Sequence, residues 1–166
     1  MEKKNRKPTR LKDYNYSENG AYFITICTKD MQCILSTIVG DGALDVPKLL
    51  LTDYGNAVKS EILKMNNIYK YICVNSFVIM PNHVHFIIEI NGNDSGTSRA
   101  PSPTNSAVSK YVSTLKRMTN KKCCFDLWQR SYNDHIIRNE DDYCYHLQYI
   151  DENPKKWIMG KDKYYT

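Results

Sequence analysis

The stretch YICVNSFVIMPNHVHFIIEI, residues 71–90, decides the fold of this chain. It holds two runs of mostly β-branched and aromatic residues, Tyr71–Met80 and His83–Ile90, and each run predicts a β-strand. Only Pro81 and Asn82 separate the two runs, so the connection has room for no more than a turn. We therefore expect the two strands to pair as a tight antiparallel hairpin.

The second strand of this hairpin has two chemically different faces. Residues two apart in a strand point to the same side of the sheet. One side is entirely apolar and comprises Val84, Phe86, Ile88 and Ile90. His83 and His85 share the other side, and two imidazoles at a fixed spacing could form half of a metal site. From the residues alone, two exposed histidines on a half-solvated strand explain the pattern with fewer assumptions.

Apolar periodicity and turn residues predict the remaining elements on both sides of the hairpin. They are a strand at Tyr22–Thr28, a minor hairpin of Cys33–Val39 and Ala43–Leu51, a helix from Thr52 or Asp53 to about Asn66, a helix from Pro103 and Thr104 to about Asn120, a strand around His135–Ile137, and a helix from Glu140 to Asn153 that Pro154 ends. The main elements alternate as strand, helix, strand, strand, helix, strand, helix. This order predicts an α+β fold, a ferredoxin-like or RRM-like antiparallel sheet with helices on one face. The closing helix is expected across or beside the open face.

Length and composition limit the organisation of the chain. Its 166 residues suit one domain, and 42% hydrophobic residues exclude disorder over most of the length. We predict a basic N-terminal arm over residues 1–20, a single domain over 21–157 and a polar tail over 158–166. No signal peptide or membrane span is evident, so we expect a cytoplasmic protein with reduced thiols. The net charge of +5 is a mild bias toward polyanions.

The predicted last helix carries a second group of polar residues. Asp142, His146, Tyr149 and Asn153 follow each other at intervals of four, three and four, so they share one helical face. A tyrosine with an amide one turn later can supply a nucleophile and a metal ligand. Tyr149 as a rim aromatic and Asn153 as a helix cap are equally open interpretations.

Four segments together resemble a known family. They are VIMPNHVHFII (residues 78–88), LWQRSYNDHIIRNEDDY (127–143), YIDENPKKW (149–157) and RLKDYNYSENGAYFITICTKDMQCIL (10–35). The chain resembles the HUH single-tyrosine transposases, and within them the REP-associated tyrosine transposase-like proteins, relatives of the small insertion-sequence transposases. The resemblance extends over nearly the whole chain. The His-x-His pair is weak evidence alone, but together with the YIxxNP block it is specific.

The resemblance implies metal-dependent cleavage and rejoining of single-stranded DNA through a 5′-phosphotyrosine, at sites flanked by hairpins. Carried over by position, Tyr149 is the nucleophile, and His83, His85 and Asn153 are the ligands of Mg²⁺ or Mn²⁺. Relatives also have glutamine at the position of Asn153. His146, one turn before Tyr149, is a candidate helper in ionising the tyrosine, although a surface histidine is the simpler interpretation of this position.

Single-stranded or hairpin DNA is the expected partner, and no membrane is expected. Basic residues on the helix ending near Asn120 and in the N-terminal arm are candidates for phosphate contacts. They are Lys110, Lys116, Arg117, Lys121, Lys122, Arg6 and Arg10. A monomer and a homodimer are both compatible with the sequence. Two other functions stay open: a domesticated hairpin-DNA-binding protein without cleavage, and an RRM-like RNA-binding protein, although the central strands lack its stacking aromatics.

Overall fold

A computed structural model describes residues 14–40, 47–92 and 106–165. In chain order the elements are β1 (Gly20–Cys27), a 3₁₀ turn (Lys29–Met31), β2 (Ser36–Val39), β3 (Lys48–Leu51), α1 (Asp53–Ile68), β4 (Ile72–Ile79), β5 (His83–Ile90), α2 (Ala107–Cys123), β6 (Asn133–Ile137) and α3 (Glu140–Ile158). Each strand and helix predicted from the sequence has a counterpart among these elements, and the predicted starts at Ala43 and at Pro103 and Thr104 lie outside the described residues. The described part contains no helix that is both long and apolar enough to cross a membrane.

The main sheet has four antiparallel strands in the order β4-β5-β1-β6. The first strand of the βαββαβ unit, β1, therefore lies inside the sheet, and the last strand, β6, lies beside it at the edge. This is the ferredoxin-like arrangement. β4 and β5 form the tight hairpin, with Ile79 opposite Val84. β2 and β3 pair separately as a small two-stranded sheet. The predicted α+β class and the antiparallel sheet are confirmed.

Each face of the main sheet has its own apolar cluster. Helices α1 and α2 cover one face, and the central residues of that cluster include Ile24, Val58, Ile62, Phe86, Tyr111 and Leu115. Helix α3 covers part of the opposite face, where Ile150 packs with Val78, Met80 and Ile87. Helices α1 and α2 therefore lie on one face, as predicted, and α3 lies across the open face, one of the two placements that the sequence left possible. The apolar side chains of Tyr143, Leu147 and Ile150 pack in this cluster and hold α3 against the sheet.

Pro154 does not end the last helix, contrary to the prediction. The helix continues to Ile158, so one turn more than expected is helical. A proline removes only its own N–H, here the one that would bond the Ile150 carbonyl, and the lost stability can be regained through packing. Pro154 is buried, and Trp157 one turn later packs into the apolar cluster under α3.

The N-terminal boundary of the folded domain also differs from the prediction. Tyr16, inside the predicted arm, is only 2% exposed, and its carbonyl accepts a hydrogen bond from Val108 N at the start of α2. Residues 14–19 therefore pack on the domain, because their tyrosines fill the end of the main core. The basic part of the arm, with Arg6 and Arg10, lies outside the described residues.

Replacing Gly55 in α1 by alanine is expected to destabilise the fold. Alanine is favoured over glycine in a helix by about 1 kcal/mol, but a Cβ on Gly55 would overlap the carbonyl oxygen of Leu35. Because a backbone atom cannot move out of the way like a side chain, overpacking dominates, and we expect a net loss of about 1–3 kcal/mol. Urea unfolding of Gly55→Ala measures it. Asn56→Ala, at the exposed neighbouring position, is the control and should be neutral or slightly stabilising.

Candidate active site

His83 and His85 face away from the main core, as the alternation in β5 predicts, but they are not exposed. Both are at most 1% exposed, because α3 and the C-terminal residues cover this part of the sheet. Their ring centroids are 4.5 Å apart. Two half-solvated histidines on an open strand are therefore not what the structure contains.

Hydrogen bonds position both imidazoles, and at His83 they also fix which nitrogen carries the proton. Asn82 donates from Nδ2 to the carbonyl of Tyr164, which turns its Oδ1 toward His83 Nδ1 at 2.8 Å. His83 must then donate from Nδ1, and its Nε2 keeps the lone pair. At His85, Nδ1 lies 2.8 Å from the Thr25 hydroxyl, which can accept in the same way. Neither Nε2 atom has a hydrogen-bond partner within the described part of the chain.

Burial keeps both imidazoles neutral. It lowers the pKa of His83 to about 4, although the nearby Asp162 carboxylate opposes the shift. Burial also holds the pKa of His85 well below its usual range, with smaller contributions from the positive charges of neighbouring groups, first of all His83. A neutral imidazole with a free Nε2 lone pair is the form that binds a metal ion.

Helix α3 brings Tyr149 and Asn153 to the same place. The Tyr149 ring lies 5.2 Å from the His85 ring and 5.8 Å from Phe23, edge-on to both. Asn153, one turn later, is fully buried next to His83 and Tyr149, yet its Oδ1 and Nδ2 have no well-formed hydrogen bond to any described residue. His83 and His85 on β5 thus lie together with Tyr149 and Asn153 on α3.

Tyr149 is half-buried and its phenol is hard to ionise in this state. Burial raises the pKa of Tyr149 to about 12, and the negative charge of Asp162 contributes. The Lys156 ammonium lies 4.6 Å from the centre of the Tyr149 ring. Any role for Tyr149 as a nucleophile therefore needs further positive charge at the site.

Asp162 was not identified from the sequence. It lies in the segment predicted as a polar tail, but it is only 6% exposed. Its carboxylate and the two imidazoles can each offer one ligand atom within 4.8 Å of the others. A lone aspartate near the end of a chain has no spacing pattern that indicates this position.

The buried polar atoms fit a divalent cation. Buried polar groups are normally hydrogen-bonded, and each exception requires an explanation. Here the Nε2 atoms of His83 and His85, both amide atoms of Asn153 and Asp162 Oδ2 all lack hydrogen-bond partners among the described residues and lie in one region. Nitrogen and oxygen donors of this kind suit Mn²⁺ well, and the oxygens also suit Mg²⁺.

His146 belongs to a neighbouring cluster. Its Nδ1 donates to the Asp142 carbonyl at 2.8 Å, and the Asp142 carboxylate also binds His135 Nε2 at 2.9 Å. The rings of His135 and His146 stack at 4.6 Å. Phe23 contacts both His146 and Tyr149, so its ring joins this cluster to the tyrosine site. The helper role of His146 stays a prediction.

The basic residues predicted to contact DNA differ in their surroundings. Lys116 is half-buried, and its ammonium donates to the carbonyls of Gln129 and Ser131 at 2.8 and 2.7 Å. Lys122 binds Ser60 Oγ on α1 at 3.1 Å and lies 3.7 Å from Glu61. Arg117 and Lys121 are exposed, and Lys110 is partly exposed. All five lie on α2, the layer opposite the tyrosine, so the structure does not bring them to Tyr149.

Lys116 is expected to be a structural residue. Burial lowers the pKa of Lys116 to about 8, so it is still mainly charged at neutral pH, and its two carbonyl acceptors hold residues 129–131 against α2. Losing these charged hydrogen bonds in Lys116→Met should cost about 1–3 kcal/mol of stability. Lys121→Met removes the same charge at an exposed position and should leave the unfolding midpoint unchanged. A weaker salt dependence of DNA binding in Lys116→Met, without loss of stability, would contradict this assignment.

A ferredoxin-like sheet with two buried imidazoles facing a helical tyrosine is the arrangement that the resemblance to the HUH single-tyrosine transposases leads us to expect. Comparison with known proteins agrees. The chain is 34% identical to an uncharacterized protein of Haemophilus influenzae over 92% of this chain and 89% of the relative. It is 25% identical to the REP-associated tyrosine transposase of Escherichia coli K12, over 86% of this chain and 72% of that protein. No family model matches the chain.

A solved structure supports the fold. It is that of a REP-associated tyrosine transposase bound to a REP hairpin, and it aligns with a TM-score of 0.59 at 22% identity, covering 93% of this chain and 77% of that chain. The chain belongs to the REP-associated tyrosine transposase-like family.

Proposed function

We propose that the protein cleaves and rejoins single-stranded DNA beside hairpins, with Tyr149 as the nucleophile. The observation that carries this proposal is the convergence of two unpartnered imidazole Nε2 atoms and a tyrosine from a different element in one buried place. Binding of DNA alone would not require such a set. The hairpin substrate is suggested by the relative that was solved with a REP hairpin.

His83, His85 and Asn153 would hold a divalent cation, Mg²⁺ or Mn²⁺. When bound, such a cation offsets the negative charge of the phosphate that repels a nucleophile. Thr25 and Asn82 orient the two imidazoles toward it through their Nδ1 atoms. Partners of this kind are normal for metal-binding histidines, because they fix the ring orientation and the tautomer.

In the proposed covalent step, a phosphate of the DNA backbone passes from a 3′ oxygen of the DNA to Tyr149. The Tyr149 oxygen loses its proton and forms a bond to phosphorus, while the bond between phosphorus and the 3′ oxygen breaks. The released 3′ oxygen takes up a proton, and the 5′ end stays on the enzyme as a phosphotyrosine. Attack of a 3′ hydroxyl on this ester reverses the step, so strands are rejoined without ATP.

The proposal is tested with single-stranded DNA that carries hairpins from the flanks of the gene. The DNA is labelled once at its 5′ end and once at its 3′ end, and incubated with the full chain and Mn²⁺, Mg²⁺ or EDTA. We expect a covalent adduct on denaturing gels that carries only the 3′ label and forms only with a divalent cation. The same sequence with the hairpin stem disrupted is the control.

The outcomes separate the candidate functions. An adduct carrying the 5′ label would assign the opposite polarity and overturn the proposed step. Tight binding to the hairpin without any adduct would favour a domesticated DNA-binding protein. An adduct that is independent of the stem would keep the chemistry and exclude hairpin recognition.

A further inference from the structure

The chain after α3 turns back onto the candidate active site. Gly160, with φ of +62°, ends the helix in a Schellman motif, in which Gly160 N binds Trp157 O and Lys161 N binds Lys156 O. Its left-handed conformation reverses the chain direction at little cost for a glycine. Residues 161–165 therefore run back over β5 instead of away from the domain.

Tyr164 fixes this returning segment against the two histidines. Its ring lies 4.7 Å from the His83 ring and 5.6 Å from the His85 ring. Its carbonyl accepts from Asn82 Nδ2 at 2.9 Å, and its hydroxyl accepts from Asn133 Nδ2 at 3.2 Å. The segment is thus anchored to both the β4–β5 turn and β6. This anchoring also fixes the position of Asp162, two residues before Tyr164.

Only one carboxylate oxygen of Asp162 accepts a hydrogen bond from a described residue. Oδ1 accepts from the backbone N–H of Tyr164 at 2.6 Å. Oδ2 is buried and has no hydrogen-bond partner among residues 14–40, 47–92 and 106–165, and no lysine or arginine of these ranges forms an ion pair with the carboxylate. A buried charge is normally paired or bound to a metal ion. One ligand atom of each imidazole lies within 4.8 Å of a carboxylate oxygen of Asp162, and the Nε2 atoms of both imidazoles also lack partners among the described residues.

We propose that Asp162 is a fourth protein ligand of the divalent cation, in addition to His83, His85 and Asn153. This inference rests on the proposed function and extends its ligand set beyond the residues that the family resemblance implies. A carboxylate adds a hard, charged oxygen to two imidazoles, which favours Mn²⁺ and Mg²⁺ over softer ions. It also makes the C-terminal segment a part of the site, so cation binding and the order of residues 161–165 depend on each other.

The test measures cation binding without DNA. The full chain is titrated with Mn²⁺, and free Mn²⁺ is followed by electron paramagnetic resonance for the wild type, Asp162→Asn and Asp162→Glu. Asp151→Asn, at an exposed position of α3, loses the same charge outside the site and is the control. We expect Asp162→Asn to weaken Mn²⁺ binding at least about tenfold, Asp162→Glu to weaken it less, and Asp151→Asn to leave it within about twofold.

Thermal unfolding without cation separates a ligand role from a folding role. Removing a buried unpaired charge should leave the midpoint of Asp162→Asn unchanged or raise it, while the upward shift caused by Mn²⁺ should shrink. A midpoint that falls without cation, together with unchanged Mn²⁺ affinity in the folded fraction, overturns the proposal. Wild-type affinity in Asp162→Asn, with loss of binding in His85→Ala, also overturns it and leaves the proposed function intact. Failure of the wild type to bind Mn²⁺ overturns both the fourth ligand and the cation of the proposed function.

Discussion

Tyr149→Phe is expected to abolish the covalent protein–DNA adduct and to lower strand cleavage at least about a thousandfold. The substitution removes the only atom that would bond to phosphorus and leaves the ring that contacts His85 and Phe23. The phenol oxygen of Tyr149 is not a donor or acceptor in any well-formed hydrogen bond that holds the described fold together. Hairpin binding and the unfolding midpoint should therefore stay at wild-type values, and gel-shift and calorimetric measurements check both.

A neighbouring tyrosine provides the matched control for this experiment. Tyr145 lies one turn earlier on α3, its ring is 6.5 Å from that of Tyr149, and it is 62% exposed. Tyr145→Phe removes the same oxygen atom from the same helix and should keep both the adduct and its rate. An adduct that survives in Tyr149→Phe but disappears in Tyr145→Phe or Tyr164→Phe would assign the nucleophile to the other tyrosine.

Tyr149 is expected to need added positive charge before it can react as a nucleophile. Burial and the charge of Asp162 raise the pKa of Tyr149 to about 12, so the side chain is a poor nucleophile in the absence of added positive charge. The Asn153 amide next to the phenol lowers the pKa of Tyr149 by a smaller amount. The same groups that make the tyrosine hard to ionise therefore make its reaction dependent on what His83 and His85 hold.

The sequence predicts the sheet, and it predicts which candidate side chains share one side of β5 and one side of α3. Strand alternation in β5 is a local property, so it places His83 and His85 on the side away from the main core without knowledge of the fold. Helical spacing likewise places Tyr149 and Asn153 on one side of α3. What it leaves open is whether α3 lies across the open face of the sheet or beside it, because that depends on packing between residues far apart, such as Ile150 against Ile87.

The errors share a physical cause, which is that tertiary contacts override local preferences. Pro154 is a strong local stop signal, yet packing of Trp157 and the burial of Pro154 itself carry the helix on for another turn. That extra turn sets the position of Gly160 and, through it, of Asp162. Lys116 is an ordinary surface lysine by its pattern, and only the fold brings the carbonyls of Gln129 and Ser131 to its ammonium.

His85→Ala is expected to remove cation binding at the site, with a loss in Mn²⁺ affinity of at least about a hundredfold and cleavage reduced with it. His85 is the imidazole closest to Tyr149, and its Nε2 has no partner in the described chain to compete for the lone pair. Thr25→Val keeps the shape next to His85 but removes the oxygen that Nδ1 bonds. Because it disturbs the orientation and tautomer of the ring without removing a ligand atom, it should cost about 10- to 100-fold.

This graded pair distinguishes a metal ligand from a packing residue. If His85 only filled space between Phe23 and Tyr149, His85→Ala would lower the unfolding midpoint while Thr25→Val would leave Mn²⁺ affinity unchanged. His135→Ala is the control, since that histidine is half-exposed and binds Asp142 in the neighbouring cluster. We expect it to keep Mn²⁺ affinity at the tyrosine site. A loss of Mn²⁺ affinity in His135→Ala but not in His85→Ala would place the cation in the neighbouring cluster, and the role of His83 and His85 would then have to be given up.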